Sequence, residues 1–195
     1  AMPYGFLDIA ITPSVRAVQA SMGADSAWQD YKGDRAFDRF RENEAAFIAE
    51  RDSFYIATVS ETGWPYVQHR GGPRGFLKLI DDRTLAFADY RGNRQYISTG
   101  NLAADDRACL FLMDYARRAR LKIYARVEVL ALDEDPALTA AVAMPEYRAK
   151  LERTGSAGRI GRAAVAAIAA RGHTVVGIDI VPSPGLAPEQ VFAAS

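Results

Sequence analysis

"SFYIATVSETGWPYVQHR", residues 53–70, decides how the rest of the chain is read. Ser53 to Ser60 is rich in β-branched and aromatic residues and turns polar at its end. Glu61-Thr62-Gly63-Trp64 carries turn chemistry, and Pro65 to Arg70 runs back as a second strand. Two short apolar runs around a glycine-containing turn are a β-hairpin signal. The return strand leads straight into "GGPRG", residues 71–75. A plain hairpin needs neither three glycines there nor flanking arginines at 70 and 74, so this join either is a wide solvated loop or presents backbone and guanidinium to an anion.

More strands follow. "GFLKLID" (75–81) and "TLAFADY" (84–90) read as a second pair joined at Asp81-Asp82-Arg83. "RACLFLMDYA" (107–116) and "ARLKIYARVEVLAL" (119–132) read as a third, and partial alternation of Lys122, Tyr124 and Arg126 with Ile123 and Val127 leaves the last strand one wet side. Consecutive strands with short turns point to an antiparallel barrel with helices packed outside.

Helical spacing appears around this block. Thr12-Pro13 reads as an N-cap with proline at the first helical position, with a helix to about Met22 ended by Gly23. Phe37, Phe40, Phe47 and Ile48 predict an amphipathic helix over 36–51. A short helix is expected from Arg94 to Thr99, weakened beyond by Gly100. After residue 132 the reading is helical, over 133–142, 145–153 and 158–171, before a last strand at 174–185. The organisation expected is one domain over 2–195: a core at 36–132, a helical segment at 133–172 and a C-terminal strand.

Composition narrows the function classes. Lys+Arg and Asp+Glu balance at 24 each, so no global field favours nucleic acid or an anionic membrane. The longest apolar run, Ala163–Ala170, is far short of the ~20 residues of a membrane span. No basic segment precedes an apolar core at the N-terminus, so no signal peptide is expected and cytoplasmic residence is the default. The single cysteine, Cys109, excludes an intrachain disulfide and reads as a core residue, and two histidines, His69 and His173, group with no obvious metal-binding set. There is no G-x-S-x-G elbow, and "GSAGRIG" (155–161) is neither a dinucleotide fingerprint nor a P-loop. No catalytic residue is identified.

The best candidate site spans 68–94. Arg70 closes one strand, and "ADYRGNR" (88–94) closes another before a helix start, where free N–H groups and positive potential favour an anion. Two guanidiniums from adjacent strand ends would suit a phosphate monoester, and Asn93 and Ser98 would add neutral hydrogen bonds. The competing reading is that Arg70, Arg91 and Arg94 are solvated loop arginines.

The stretch from Asp52 to Val129 resembles the pyridoxamine 5′-phosphate oxidase-like FMN-binding split barrels, in particular the oxidase-related flavin-nucleotide-binding branch. The carriers are the F-x-x-A-T-V-S strand, the G-x-P turn, the R-G-G-P-x-G-F-L join, and G-N-R followed by Asn101-Leu102. The resemblance covers about residues 36–132 and implies a mainly β fold with peripheral helices: a six-stranded antiparallel split β-barrel that forms a homodimer, with FMN in a groove between subunits. It implies that Gln68, His69 and Arg70 hold the flavin, that Asp89 lies beside the ribityl chain and ring, that Asn93 and Arg94 grip the phosphate, and that Arg120 reaches the ring edge from the partner. The oxidases usually carry glutamine at that last position, and their C-terminal tryptophan and arginine segment have no counterpart after residue 172. These departures argue against pyridoxamine phosphate oxidase activity itself. The function implied is an FMN-dependent oxidoreductase moving hydride between a nicotinamide or small organic substrate and the flavin. The alternatives are a non-catalytic flavin- or haem-binding barrel and a cofactor-free scaffold; a deazaflavin makes the same ring-and-phosphate demands as FMN.

Overall fold

The computed structural model describes residues 9–24, 39–89, 95–131, 133–144, 164–169 and 175–180, the last two segments as backbone. Helix α1, Pro13–Ser21, begins at an extended Thr12 whose hydroxyl accepts from the Val15 N–H, and Gly23 closes it at φ +66°. Both ends follow the residue chemistry: a hydroxyl takes an orphan donor at the start, and glycine takes the left-handed turn at the end.

Helix α2 is Glu42–Ala49, shorter than the expected 36–51. Phe40 explains the late start among the described residues. Its ring is buried and its N–H donates to Asp82 O at 2.7 Å, which holds this residue in an extended approach. The helix then opens with a capping box in which Glu44 Oε2 accepts from the Arg41 N–H at 2.8 Å.

The described strands number nine, in two antiparallel sheets. They are β1 Ser53–Val59, β2 Pro65–Gly71, β3 Lys78–Leu79, β4 Thr84–Asp89, β5 Arg107–Asp114, β6 Ala119–Arg126, β7 Glu128–Ala131, β8 Ala164–Ala169 and β9 Val175–Ile180. One sheet runs β2-β1-β5-β6-β9 and the other β3-β4-β8-β7, the mainly β split barrel anticipated from the sequence. The predicted β1–β2 hairpin forms, with Ser53 opposite Gly71 through Val59 opposite Pro65. Helix α3, Ile97–Ala104, packs on β1 and β7, and helix α4, Pro136–Val142, packs on β4 and β8.

Four expectations need correction. The strand over 75–81 shrinks to Lys78–Leu79, because Gly75 turns the chain at φ +74° and Phe76 donates back to Pro73 O. The long strand over 119–132 breaks at Val127, whose N–H donates to Asp106 O as the chain passes from one sheet to the other. The helix expected at 94–99 forms as α3 at 97–104, Gly100 included. The helix expected over 158–171 is strand β8 at 164–169, with six residue pairs to β4 and four to β7. Alanine-rich local preference for helix yields there to two ladders that use both edges of the segment. The helix expected at 145–153 lies outside the described residues.

One buried cluster fills the barrel, including Phe54, Ile56, Leu77, Leu85, Phe87, Leu110, Leu112, Leu121 and Ile123. Phe54 lies 5.6 Å from Phe76 in a stacked pair and 5.2 Å from Phe87 edge-on. Strict alternation in β5, with Ala108, Leu110 and Leu112 buried, is the period of a sheet with one face on a core. No described helix is long and apolar enough to cross a membrane.

Candidate functional site

Strand β2 divides the predicted site between two faces. Its alternation places Tyr66, Gln68 and Arg70 on the less exposed side, and Val67 and His69 on the other. The cross-strand partners agree: Gln68 faces Ile56 and Arg70 faces Phe54, both buried, whereas His69 faces Tyr55. Gln68, Arg70 and Asp89 therefore belong to the inner side of the barrel wall.

A polar layer is built there under α3. Ser98 Oγ donates to Gln68 Oε1 at 2.7 Å, and Asn101 Nδ2 donates to Thr58 Oγ1 at 3.0 Å. Arg70 spans from β2 in one sheet to Asp89 at the end of β4 in the other, Nη1 to Oδ1 at 2.5 Å and Nη2 to Oδ2 at 3.4 Å. Both side chains are about 15% exposed. Burial pushes the Asp89 carboxyl up from its usual range, and the Arg70 charge and a hydrogen bond from Thr99 only partly pull it back. Arg70 Nε is buried with no hydrogen-bond partner among the described residues.

The outer face has a different character. His69 meets the Tyr55 ring edge-on at 5.4 Å, and the Tyr55 hydroxyl lies 3.4 Å from that of Tyr115. Phe111 stands opposite Tyr55, and Lys122 opposite Phe111. Arg120 stands opposite Met113, on the Lys122 and Tyr124 side of β6. Cys109 lies between Ala57 and Tyr124 on this half-open face, not in the core as expected, and burial raises its thiol pKa against the pull of Lys122. Val67, 60% exposed, and Trp64, 75% exposed, continue the apolar surface along the edge strand.

The structure thus joins Gln68, Arg70 and Asp89 on one side and His69 and Arg120 on the other. Asn93, Arg94 and His173 lie outside the described residues. Ser98, assigned in the sequence to an anion, is used by Gln68. Thr58, Thr99 and Asn101 were given no site role, although polar residues at 98 and 101 share one helical face. A cavity of about 510 Å³ between α3 and the β6–β7 junction, lined by Thr99, Leu102, Arg126 and Val129 among others, contains none of the predicted side chains.

The glycines of the join have reasons inside the chain. Gly72 N–H donates to Asp52 O at 2.8 Å and Gly75 N–H to Arg51 O at 2.9 Å. A Cβ on Gly72 would lie 2.6 Å from Phe76 Cγ, and one on Gly75 would lie 3.2 Å from Ala49 O. Arg74 is exposed, as a loop arginine should be.

The donor set of the outer face suits a flavin: aromatic and aliphatic side chains for a flat ring, and cations for its anionic groups. Both terminal nitrogens of Arg70 already face a carboxylate.

Several solved structures are similar to the chain at low identity. An FMN-binding protein from Syntrophomonas wolfei subsp. wolfei is 14% identical, with 87% of this chain and 97% of that chain covered at a TM-score of 0.46. Group A Streptococcus HupZ is 14% identical, with 74% and 97% covered at 0.47. An F420 reductase is 16% identical, with 71% and 98% covered at 0.44. No curated protein matches the sequence. The family of pyridoxamine 5′-phosphate oxidase matches over residues 40–175, from the approach to α2 through the first residue of β9. With that match and the two-sheet barrel, the chain belongs to the pyridoxamine 5′-phosphate oxidase family.

Proposed function

We propose that the protein is an FMN-binding oxidoreductase that works as a homodimer through the outer face of the five-stranded sheet. The observation that carries this reading is the composition of that face. Tyr55, Phe111, Met113 and Val67 make a flat apolar surface with His69, Lys122 and Arg120 beside it. A monomer would leave this surface against water; a second copy would cover it and close a slot for a planar ring.

In this reading the aromatic and aliphatic side chains hold the ring, His69 and Arg120 hydrogen-bond its polar edge, and Asn93 and Arg94 take the phosphate. The bound flavin supplies hydride chemistry, and the protein orients the ring and keeps water from one side of it. A nicotinamide or another small organic molecule is the substrate class.

The test is a fluorescence titration with FMN and, beside it, riboflavin. The expected result is saturable quenching, with FMN bound more tightly than riboflavin and the preference reduced several-fold in Arg94→Ala. A protein that quenches neither overturns the flavin reading. The dimer is tested separately by sedimentation of wild type and Val67→Asp. A charge placed in the apolar face should shift the equilibrium toward monomer without changing the monomer's secondary structure, and a wild-type monomer at micromolar concentration would refute the interface.

A further inference from the structure

Arg70 and Asp89 are 19 residues apart in sequence and join the two sheets at the point where β4 ends. The chain then leads into α3, whose first turn carries two further contacts of the layer: Thr99 to Asp89 and Ser98 to Gln68. At the mouth of α3, Tyr96 has φ +52° and ψ 24°, a left-handed conformation that is strained for a non-glycine residue. Among the described residues, no side-chain hydrogen bond caps that turn. A strained, uncapped helix start persists only where its surroundings hold it. Among those surroundings are Gln68 from β2 and Asp89 from β4, the latter held by Arg70.

We infer that Arg70 is a positioning residue: it acts through Asp89 to fix the start of α3, and does not itself bind the cofactor phosphate. The inference deepens the flavin reading, which gives the phosphate to Asn93 and Arg94, a few residues before α3 in sequence. The two roles of Arg70 make opposite predictions for its partner. If Arg70 gripped an anion, Asp89 would compete with that anion, and removing the Asp89 charge would leave FMN affinity unchanged or increase it. If Arg70 holds Asp89, both partners matter alike and lose little more together than apart.

The experiment compares wild type, Arg70→Gln, Asp89→Asn and the double variant, in which two amides can still hydrogen-bond across the buried gap. Two readings are taken: the Kd for FMN, and hydrogen exchange at the α3 amides of the flavin-free protein. The expected result is a loss of FMN affinity of about tenfold or more in each single variant, with the double variant within a few-fold of either. Exchange in the first turn of α3 should rise in both single variants, while the β1–β5 ladder stays protected. Asp89→Asn binding FMN as well as wild type, with Arg70→Gln impaired, would overturn the inference and return Arg70 to the phosphate. Should wild type bind no flavin, the flavin reading falls alone and exchange decides: α3 protection unchanged in both single variants refutes the positioning role. A variant that does not fold is replaced by Arg70→Lys, which should keep α3 protected if the ion pair is what matters.

Discussion

Among the described residues, one arginine–aspartate pair is buried in this barrel and a second is half-buried, and they are built differently. Arg51 and Asp114, each with side chains 10% exposed, tie the end of α2 to the β5–β6 hairpin. Arg51 uses its whole guanidinium: Nε donates to Phe47 O, Nη1 to Met113 O and to Asp114 at 3.0 Å, and Nη2 to Glu50 at 3.1 Å. Its plane lies 4.4 Å from the Phe47 ring centre. Arg117 adds a backbone N–H to Asp114 and an ion pair to Glu50 at 2.7 Å. Arg70 meets one carboxylate and leaves Nε without a partner among the described residues. A fully satisfied pair is a structural pin; an under-satisfied pair at the end of two strands marks a place where fold stability is traded for position.

The carboxylates record the same contrast. At Asp114 burial raises the pKa, but the Arg117 N–H and the Arg51 guanidinium outweigh it and the group ends below its usual range. At Asp89 burial wins and the group ends above it. Removing the arginine should therefore hurt the two sites unequally. Arg51→Met leaves a buried carboxylate and several orphaned acceptors, and should cost about 3–5 kcal/mol in urea unfolding. Arg70→Gln leaves a carboxyl already inclined to take up a proton, and should cost about 1–3 kcal/mol. Equal losses would erase the distinction between pin and positioner.

The loop between these two regions sharpens the comparison. Residues 71–77 hang from Asp52 and Arg51 by the Gly72 and Gly75 N–H groups. Gly75→Ala must hold φ +74° with a Cβ close to Ala49 O, and should cost about 1–3 kcal/mol. Gly72→Ala must move Phe76, which is buried and stacked on Phe54, for a similar penalty of about 1–3 kcal/mol. Both losses should appear in thermal melts of the flavin-free protein. Loss of flavin affinity with unchanged melting would mean that the glycines serve a ligand and not α2.

These regions also differ in how far residue patterns reveal them. The β1–β2 hairpin and α1 are local: turn residues, caps and alternation settle them within a few positions, and the structure follows to within a residue. Strand β8 is the opposite case. Its alanine-rich sequence suits a helix, and only the vacant edges of β4 and β7, distant in sequence, make it a strand. The site lies between these extremes. Arg70 and Asp89 were both visible as candidate residues, but their mutual bond depends on two sheets meeting and left no local mark. Alternation could have shown that Gln68 and His69 cannot share a face. Ser98 and Asn101 were legible as a polar helical stripe only once α3 was placed at 97–104.

The smallest expected effect is the pH dependence of stability, which separates the two pairs by sign. Asp114 has a lowered pKa in the folded state, so its contribution is present above the unfolded value, about 3.9, and disappears as pH falls through the folded value. Asp89 has a raised pKa, so the folded state binds its proton more tightly than the unfolded chain does. Its contribution is complete below about pH 3.9 and is lost as pH rises through the folded value. Acidification below neutrality therefore first favours the Asp89 site and then penalises the Asp114 site. Asp89→Asn should remove the early gain and steepen the net acid loss; Asp114→Asn should flatten the loss below pH ~4, starting from a less stable protein. Urea midpoints across the acid range at constant ionic strength read both slopes. Two variants that change the slope in the same direction would mean that both aspartates are of one kind and that Arg70 is a second pin. Opposite changes would place the stored imbalance at Asp89, where β4 hands the chain to α3.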